Sequence, residues 1–252
     1  MRLSDRGVLV TGASRGIGRA VAEAFAANGD RVVVHHRQAQ ALADEVAESL
    51  PGRGHTVLQA DLADPRAIPR LVEHAVQELG TIDVLVNNAG VYPRHPPDEV
   101  DYEQWQDAWQ RTLGVNLIGV ANLTYCVVRH MMSRGGGRIV NVSSRGAFRG
   151  EPEHPAYGAS KAGLNAFAQS LAQAVGSHGI AVATVAPGWV ETDMTRADLD
   201  SPLGDRVRAQ SPFARVARPD EVAAAVLYLA SPQAEFASGA ILDLNGASYL
   251  RT

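Results

Sequence analysis

Six short apolar runs recur along the chain with longer, helix-patterned stretches between them: Val8-Leu9-Val10, Val32-Val33-Val34, Thr56-Val57-Leu58, Val84-Leu85-Val86, Ile139-Val140-Asn141-Val142 and Ala181-Val182-Ala183-Thr184-Val185. Runs this short and this rich in β-branched residues suit buried strands. The intervening stretches predict helices near residues 16–28, 38–49, 65–79, 101–133 and 157–178, then a helix near 219–230 and a last strand at Ile241-Leu242. Repeated βα units require crossovers of one hand, which place helices on both faces of a parallel sheet. The predicted fold class is therefore α/β, a three-layer, doubly wound parallel sheet.

At 252 residues the chain fits one large domain, and no linker, repeat or low-complexity tract divides it. A formal net charge of -4 gives no general attraction for nucleic acid or acidic membrane surfaces, so neither is an expected partner. Cys126 is the sole cysteine, which excludes an internal disulfide, and it is expected in the core. The charged segment Met1–Gly7 lacks the apolar run of a signal peptide, and no stretch reads as a membrane span, so a cytoplasmic location is expected.

Ligands of open α/β sheets bind beyond the carboxyl ends of the strands, and the chemistry-bearing motifs fall there. Thr11-Gly12-Ala13-Ser14-Arg15-Gly16-Ile17-Gly18 follows the first run, Asp61-Leu62 the third, Asn87-Asn88-Ala89-Gly90 the fourth, Ser143-Ser144 the fifth and Pro187-Gly188 the sixth. Between a strand and a helix, such glycines let the backbone approach a pyrophosphate while helix N-terminal amides face it. The spacing lacks the Gly-Lys-Ser/Thr of triphosphate hydrolases, so a dinucleotide is the natural ligand.

The second run ends in His35-His36-Arg37, where an acidic residue would bind the ribose of NAD. Arg37, with Arg15, offers permanently charged, forked donors to a 2′-phosphate instead, which predicts NADP(H) over NAD(H). Asp61 could meet an adenine amino group or cap the next helix, and the first role is favoured.

Tyr157 and Lys161 stand four residues apart, so on a helix they share a face. A nearby cation would lower a phenol pKa from roughly 10 and make Tyr157 a general acid/base.

Taken together, the glycine-rich segment, Asn87-Asn88-Ala89-Gly90, Asn116, Ser144, Tyr157 with Lys161, and Pro187-Gly188-Trp189-Val190-Glu191-Thr192 resemble the short-chain dehydrogenases/reductases over nearly the whole length. The resemblance implies a Rossmann-like sheet of about seven strands, usually a homotetramer, with hydride passing between a nicotinamide and a carbonyl or alcohol carbon. It implies no catalytic metal. By position, Tyr157 looks like the acid, Ser144 a donor to the same carbonyl oxygen, and Lys161 a ligand of the nicotinamide ribose that favours tyrosinate. Asn116 would hold a water extending the proton relay. Gly12, Ser14, Arg15, Gly16, Ile17, Gly18, His36, Arg37, Asp61, Leu62, Asn88, Ala89, Gly90, Pro187, Gly188, Val190 and Thr192 would line the cofactor. A cofactor half over about 1–135 and a catalytic and substrate half over about 136–252 follow from this placement.

The substrate end is less defined. The polar segment 193–212 suits a mobile lid, and Tyr92, Phe148, His154 and Trp189 flank the matched motifs as candidate pocket residues. Within the family the chain looks like 3-oxoacyl-(acyl carrier protein) reductases, for which Arg129, Arg134 and Arg138 could form a docking patch for an acidic carrier. Yet Gln173–His178 lacks the basic residues that this subgroup tends to carry, and Asp243-Leu244-Asn245-Gly246 departs from its usual Asp-Gly-Gly run. A sugar, polyol or other secondary-alcohol dehydrogenase is the alternative, and a catalytically idle NADP sensor is a third possibility that the intact Ser144, Tyr157 and Lys161 argue against.

Overall fold

The computed structural model describes residues 4–251. In chain order the elements are β1 (Gly7–Val10), α1 (Gly16–Ala27), β2 (Arg31–His36), α2 (Gln40–Ser49), β3 (Thr56–Gln59), α3 (Ala67–Leu79), β4 (Val84–Asn87), α4 (Tyr102–Leu113), α5 (Val120–Arg134), β5 (Gly137–Val142), α6 (Gly146–Arg149), α7 (Pro155–Val175), β6 (Ile180–Pro187), α8 (Arg196–Leu199), α9 (Leu203–Arg208), α10 (Pro219–Leu229) and β7 (Ile241–Leu244). The seven strands form one sheet in the order β3-β2-β1-β4-β5-β6-β7, and every pairing is parallel. The order reverses beside β1, which opens a crevice at the carboxyl ends of β1 and β4.

Two apolar layers cover the sheet. Val8 and Val10 of β1 face one way and pack with Phe25 of α1 and Val226 of α10, while Leu9 faces the other way toward Leu71 of α3 and Leu123 of α5. Successive strand side chains alternate between faces, so a strand needs apolar residues at every position only when both faces are covered. That holds for β1, β4, β5 and β6, whose residues are buried throughout. β3 differs from the expected buried strand: it is the sheet edge, half-buried, with Gln59 exposed. Cys126 is half-buried and packs against the α3/α5 layer.

The stretch expected as one helix over 101–133 is α4 and α5 joined by a π-helical turn, Gly114–Gly119. A capping box starts α4, with the Asp101 carboxylate accepting from the Gln104 N–H at 2.8 Å. At Gly119 a Cβ would lie 2.3 Å from the Leu62 carbonyl oxygen, so the helix touches the β3–α3 loop backbone to backbone. By length and composition the run Tyr102–Arg134 could cross a membrane, but half of its most apolar window is buried inside the protein. The core accounts for that burial.

Candidate active site

The glycine-rich loop turns tightly after β1 and enters α1. Gly12 adopts φ +63°, and a Cβ on Gly18 would stand 2.2 Å from the Gly12 carbonyl oxygen and 2.5 Å from Asn88 Nδ2. Both positions therefore need glycine, one for conformation and one for contact. Thr11 ties the loop to the strand beside it: its hydroxyl donates to the Val86 carbonyl at 3.2 Å and accepts from the N–H groups of Asn88 and Ala89 at 2.9 and 3.0 Å. The Asn88 amide donates back to the carbonyls of Thr11 and Gly12.

His35 completes this frame, a part the sequence analysis did not single out. Its Nδ1 accepts from the Gly12 N–H at 3.2 Å, and its Nε2 meets the Ala60 carbonyl at 3.2 Å. One ring thus links β2, the glycine loop and the end of β3. Burial pushes its pKa down to about 4, so it is neutral with the proton on Nε2.

A cleft of about 340 Å3 lies over the carboxyl ends of the strands. Every residue expected to line a cofactor borders it, from Gly12, Ser14, Arg15, Gly16, Ile17 and Gly18 through His36, Arg37, Asp61, Leu62, Asn88, Ala89 and Gly90 to Pro187, Gly188, Val190 and Thr192. The cleft also takes in Val115, Met194 and Thr195, which carried no motif signal. Among the described residues the Arg37 side chain bonds to Gln38 Oε1, at 3.1 Å, and forms no ion pair with an acidic group. His36 is buried, with Nε2 on Gln40 Oε1 at 2.8 Å and Nδ1 without a partner. Asp61 closes a local turn, its Oδ1 accepting from the Ala63 N–H at 2.9 Å, and does not cap α3, which begins at Ala67. The cradle of close-approach glycines and the free guanidinium of Arg37 fit a dinucleotide.

At the far end of the cleft Ser144, Tyr157 and Lys161 converge. The Ser144 hydroxyl accepts from the Gly146 N–H at 3.0 Å, and Ser144 acts to lower the pKa of the Tyr157 phenol beside it. Lys161 Nζ donates to the Val142 carbonyl at 2.7 Å and stands 5.7 Å from the Tyr157 ring centroid.

The electrostatics differ from the sequence expectation. Burial pushes the Tyr157 phenol up to about 12, opposed by Ser144, and pushes the Lys161 ammonium down to about 8. Desolvation disfavours both charged forms, and the Glu151 carboxylate raises the phenol further. Tyr157 is accordingly a protonated phenol, poised as an acid.

Asn116 sits in the π-helical turn behind this group. Its carboxamide donates to the Val91 carbonyl and to Ser160 Oγ, and Ser160 Oγ donates to the Tyr157 carbonyl at 2.8 Å. A Cβ on Gly90 would lie 3.5 Å from Asn116 Oδ1 and 3.7 Å from Lys161 Nζ, so these groups surround one small space.

Of the expected substrate residues, Tyr92 and His154 are brought together. Their rings stack at 3.5 Å, and Tyr92 meets Tyr157 edge-on at 4.6 Å. His154 Nδ1 is held by the Pro93 carbonyl at 2.8 Å, and the Glu151 carboxylate helps to raise the pKa of the Tyr92 phenol. Phe148 lies instead under the Arg251 guanidinium, 4.2 Å from its ring, and Trp189 lines a separate cavity.

The docking patch is not formed as expected. Arg138 is buried at the amino end of β5, donating to the Gly137 and Gly179 carbonyls and pairing with Glu235 at 2.6 Å. Arg134 closes α5 at that same end of the sheet, opposite the cleft. Charged residues at a strand's start were mistaken for neighbours of its end.

A family profile described as enoyl-(acyl carrier protein) reductase matches residues 12–246. The chain is 39% identical over 253 residues to the 3-oxoacyl-[acyl-carrier-protein] reductase FabG of Escherichia coli, covering 99% of this chain and 100% of that protein. It is equally 39% identical to the cis-4-hydroxycyclohexanecarboxylate dehydrogenase of Sinomonas cyclohexanicum, over 96% of each. A crystal structure of a short chain dehydrogenase from Burkholderia cenocepacia in complex with NADP superposes with a TM-score of 0.89 at 33% identity, covering 98% of this chain and 99% of that one. With fold, motifs and relatives in agreement, the chain belongs to the short-chain dehydrogenase/reductase family of NAD(P)-dependent oxidoreductases that interconvert CH–OH and C=O groups.

Proposed function

We propose that the chain reduces a ketone to a secondary alcohol with NADPH, and that a 3-oxoacyl thioester is the first substrate to test. The observation that carries this reading is the convergence of Ser144, Tyr157 and Lys161 on one end of the cleft. Ser144 accepts from the Gly146 N–H, and its own hydroxyl proton can be donated to a carbonyl oxygen. Tyr157, protonated across the neutral range, delivers the proton that the forming alkoxide takes up. The nicotinamide, when bound, supplies the hydride. Lys161 binds the ribose hydroxyls, and Asn116 anchors the route by which Tyr157 is reprotonated.

The FabG relative supports the thioester substrate, and the NADP complex of the structural neighbour supports the cofactor. The sequence division at about residue 135 into cofactor and catalytic halves is part of this reading, as is closure of the segment 193–212 over the substrate. Exposed Ile118 and Tyr125 on the 102–134 run, with Tyr228 and Phe236 near the C-terminus, support assembly into a homotetramer, and a cytoplasmic location belongs to the same reading.

A second reading, oxidation of a secondary alcohol, is favoured by the equal identity to the cis-4-hydroxycyclohexanecarboxylate dehydrogenase. NADPH oxidation measured across acetoacetyl thioesters, cyclic ketones, α-diketones and keto sugars, then repeated with NADH, separates the two. Tyr157→Phe should abolish turnover while retaining NADPH binding; turnover near wild type refutes the mechanism. Cofactor binding with no turnover on any carbonyl identifies an NADP sensor instead.

A further inference from the structure

Ser144 and Arg145 are adjacent, yet they serve opposite sides of the chain. Ser144 borders the cofactor cleft, whereas Arg145 lines a second cavity of about 190 Å3 with Trp189, Val207, Phe213 and Ser248. The facing segment alternates in the same way, with Gly188 and Val190 on the cleft and Trp189 on the second cavity. Nothing in the proposed reaction uses Arg145.

Its environment is unusual for an arginine. The residue is 3% exposed, and its side chain makes a hydrogen bond from Nη1 to Ser248 Oγ at 2.6 Å. Among the described residues no carboxylate lies within the 4.0 Å of an ion pair. Glu151 attracts it only from farther away, and burial holds its pKa below the usual arginine value. The other cation in the wall, Arg215, is paired with Glu221 at 2.6 Å. The cavity therefore carries one uncompensated positive charge.

A buried guanidinium without a counter-charge is costly, and an anion in the cavity removes that cost. One fixed charge matches a monoanion, and the planar fork matches the two oxygens of a carboxylate. Ser248 Oγ accepts from Arg145 and keeps its own proton for donation. Trp189, Val207 and Phe213 supply an apolar wall for a hydrocarbon skeleton.

We propose that this second cavity binds the carboxylate of a small organic acid, with Arg145 as its counter-charge and Ser248 as a supporting donor. The acid is either a carboxylate that the substrate carries or a separate ligand; the recognition chemistry is the same. The proposal does not depend on which carbonyl the chain reduces.

Calorimetry with cyclohexanecarboxylate and its methyl ester tests it without any turnover. Wild-type protein should bind the acid roughly tenfold or more tightly than the ester. Arg145→Gln should erase that preference, and Ser248→Ala should weaken it several-fold in case the arginine variant does not fold. Retained NADPH binding shows that each variant is intact. No preference in wild type, or a preference that survives Arg145→Gln, overturns the proposal. The source is then read from turnover of 4-oxocyclohexanecarboxylate against its methyl ester: an acid preference lost in Arg145→Gln makes the carboxylate the substrate's own, and equal turnover with selective binding makes it a separate ligand.

Discussion

Asn116 is bonded to both main-chain polar atoms of Val91: its Oδ1 accepts the Val91 N–H at 2.9 Å and its Nδ2 donates to the Val91 carbonyl at 3.0 Å. A side chain thereby imitates a neighbouring strand and fixes the segment after β4 against the π-helical turn. Asn116→Ala leaves both groups of Val91 to find other partners, at a cost of roughly 2 kcal/mol. We expect a lower urea midpoint together with a fall in kcat. Asn116→Asp keeps the acceptor, sets a carboxylate against the Val91 carbonyl, and should be no better than alanine; full activity in either variant removes Asn116 from the relay.

The Lys161 ammonium, lowered to about 8 by burial, ionises well before the Tyr157 phenol at about 12. The first loss of activity on raising pH should therefore belong to the lysine. kcat/KM for NADPH, which reports the free enzyme, should decline above pH 8 with the slope of one proton. A profile level to pH 10 would mean that the charge on Lys161 is not needed for binding.

His35 makes a separate prediction about acid. Its folded pKa is about 4 against an ordinary 6.5, so above 6.5 both folded and unfolded states are neutral and it has no effect. Between those values the unfolded chain takes up a proton that the folded ring refuses, and stability falls as pH falls, by roughly 3 kcal/mol in all. Below the folded pKa the loss is complete. His35→Asn, which keeps an acceptor for the Gly12 N–H, should be less sensitive between pH 7 and 4.5; urea midpoints that drop equally in both proteins remove His35 as the cause.

These predictions rest on features of unequal visibility in the sequence. The strands of the interior were legible because burial on both faces leaves an unbroken apolar run, as in Val84-Leu85-Val86. The cofactor cleft was legible because glycine-rich backbone contact leaves a mark at fixed spacing, as at Gly12 and Gly18. The π-helical turn around Asn116 was not, since it is one extra residue in an otherwise helical pattern, flagged only by Gly114 and Gly119. Nor was the pKa of Tyr157, because desolvation depends on everything packed around a group and not on the lysine four positions along. The Tyr92–His154 stack joins residues far apart in the chain, and no local period reports such a contact.

Arg37 gives the sharpest test of cofactor choice. It lines the cleft just after β2, and among the described residues its side chain bonds to Gln38 and to no acidic residue. A 2′-phosphate carries about two negative charges where NAD has a hydroxyl, so a free guanidinium discriminates by charge and by forked geometry together. Arg37→Ala should raise the Kd for NADPH by about tenfold or more and leave NADH nearly unchanged, with Arg37→Lys between them because an ammonium keeps the charge and loses the fork. Raising ionic strength should weaken NADPH binding more than NADH binding in wild type, and that difference should shrink in Arg37→Ala. Arg37→Asp goes further, since a carboxylate at the end of β2 repels the phosphate and accepts from the ribose hydroxyls; it should reverse the preference toward NADH. Were Arg37→Ala to bind NADPH as wild type does, Arg15 alone would have to carry the discrimination, and the double variant Arg15→Ala with Arg37→Ala would then be the one to lose it.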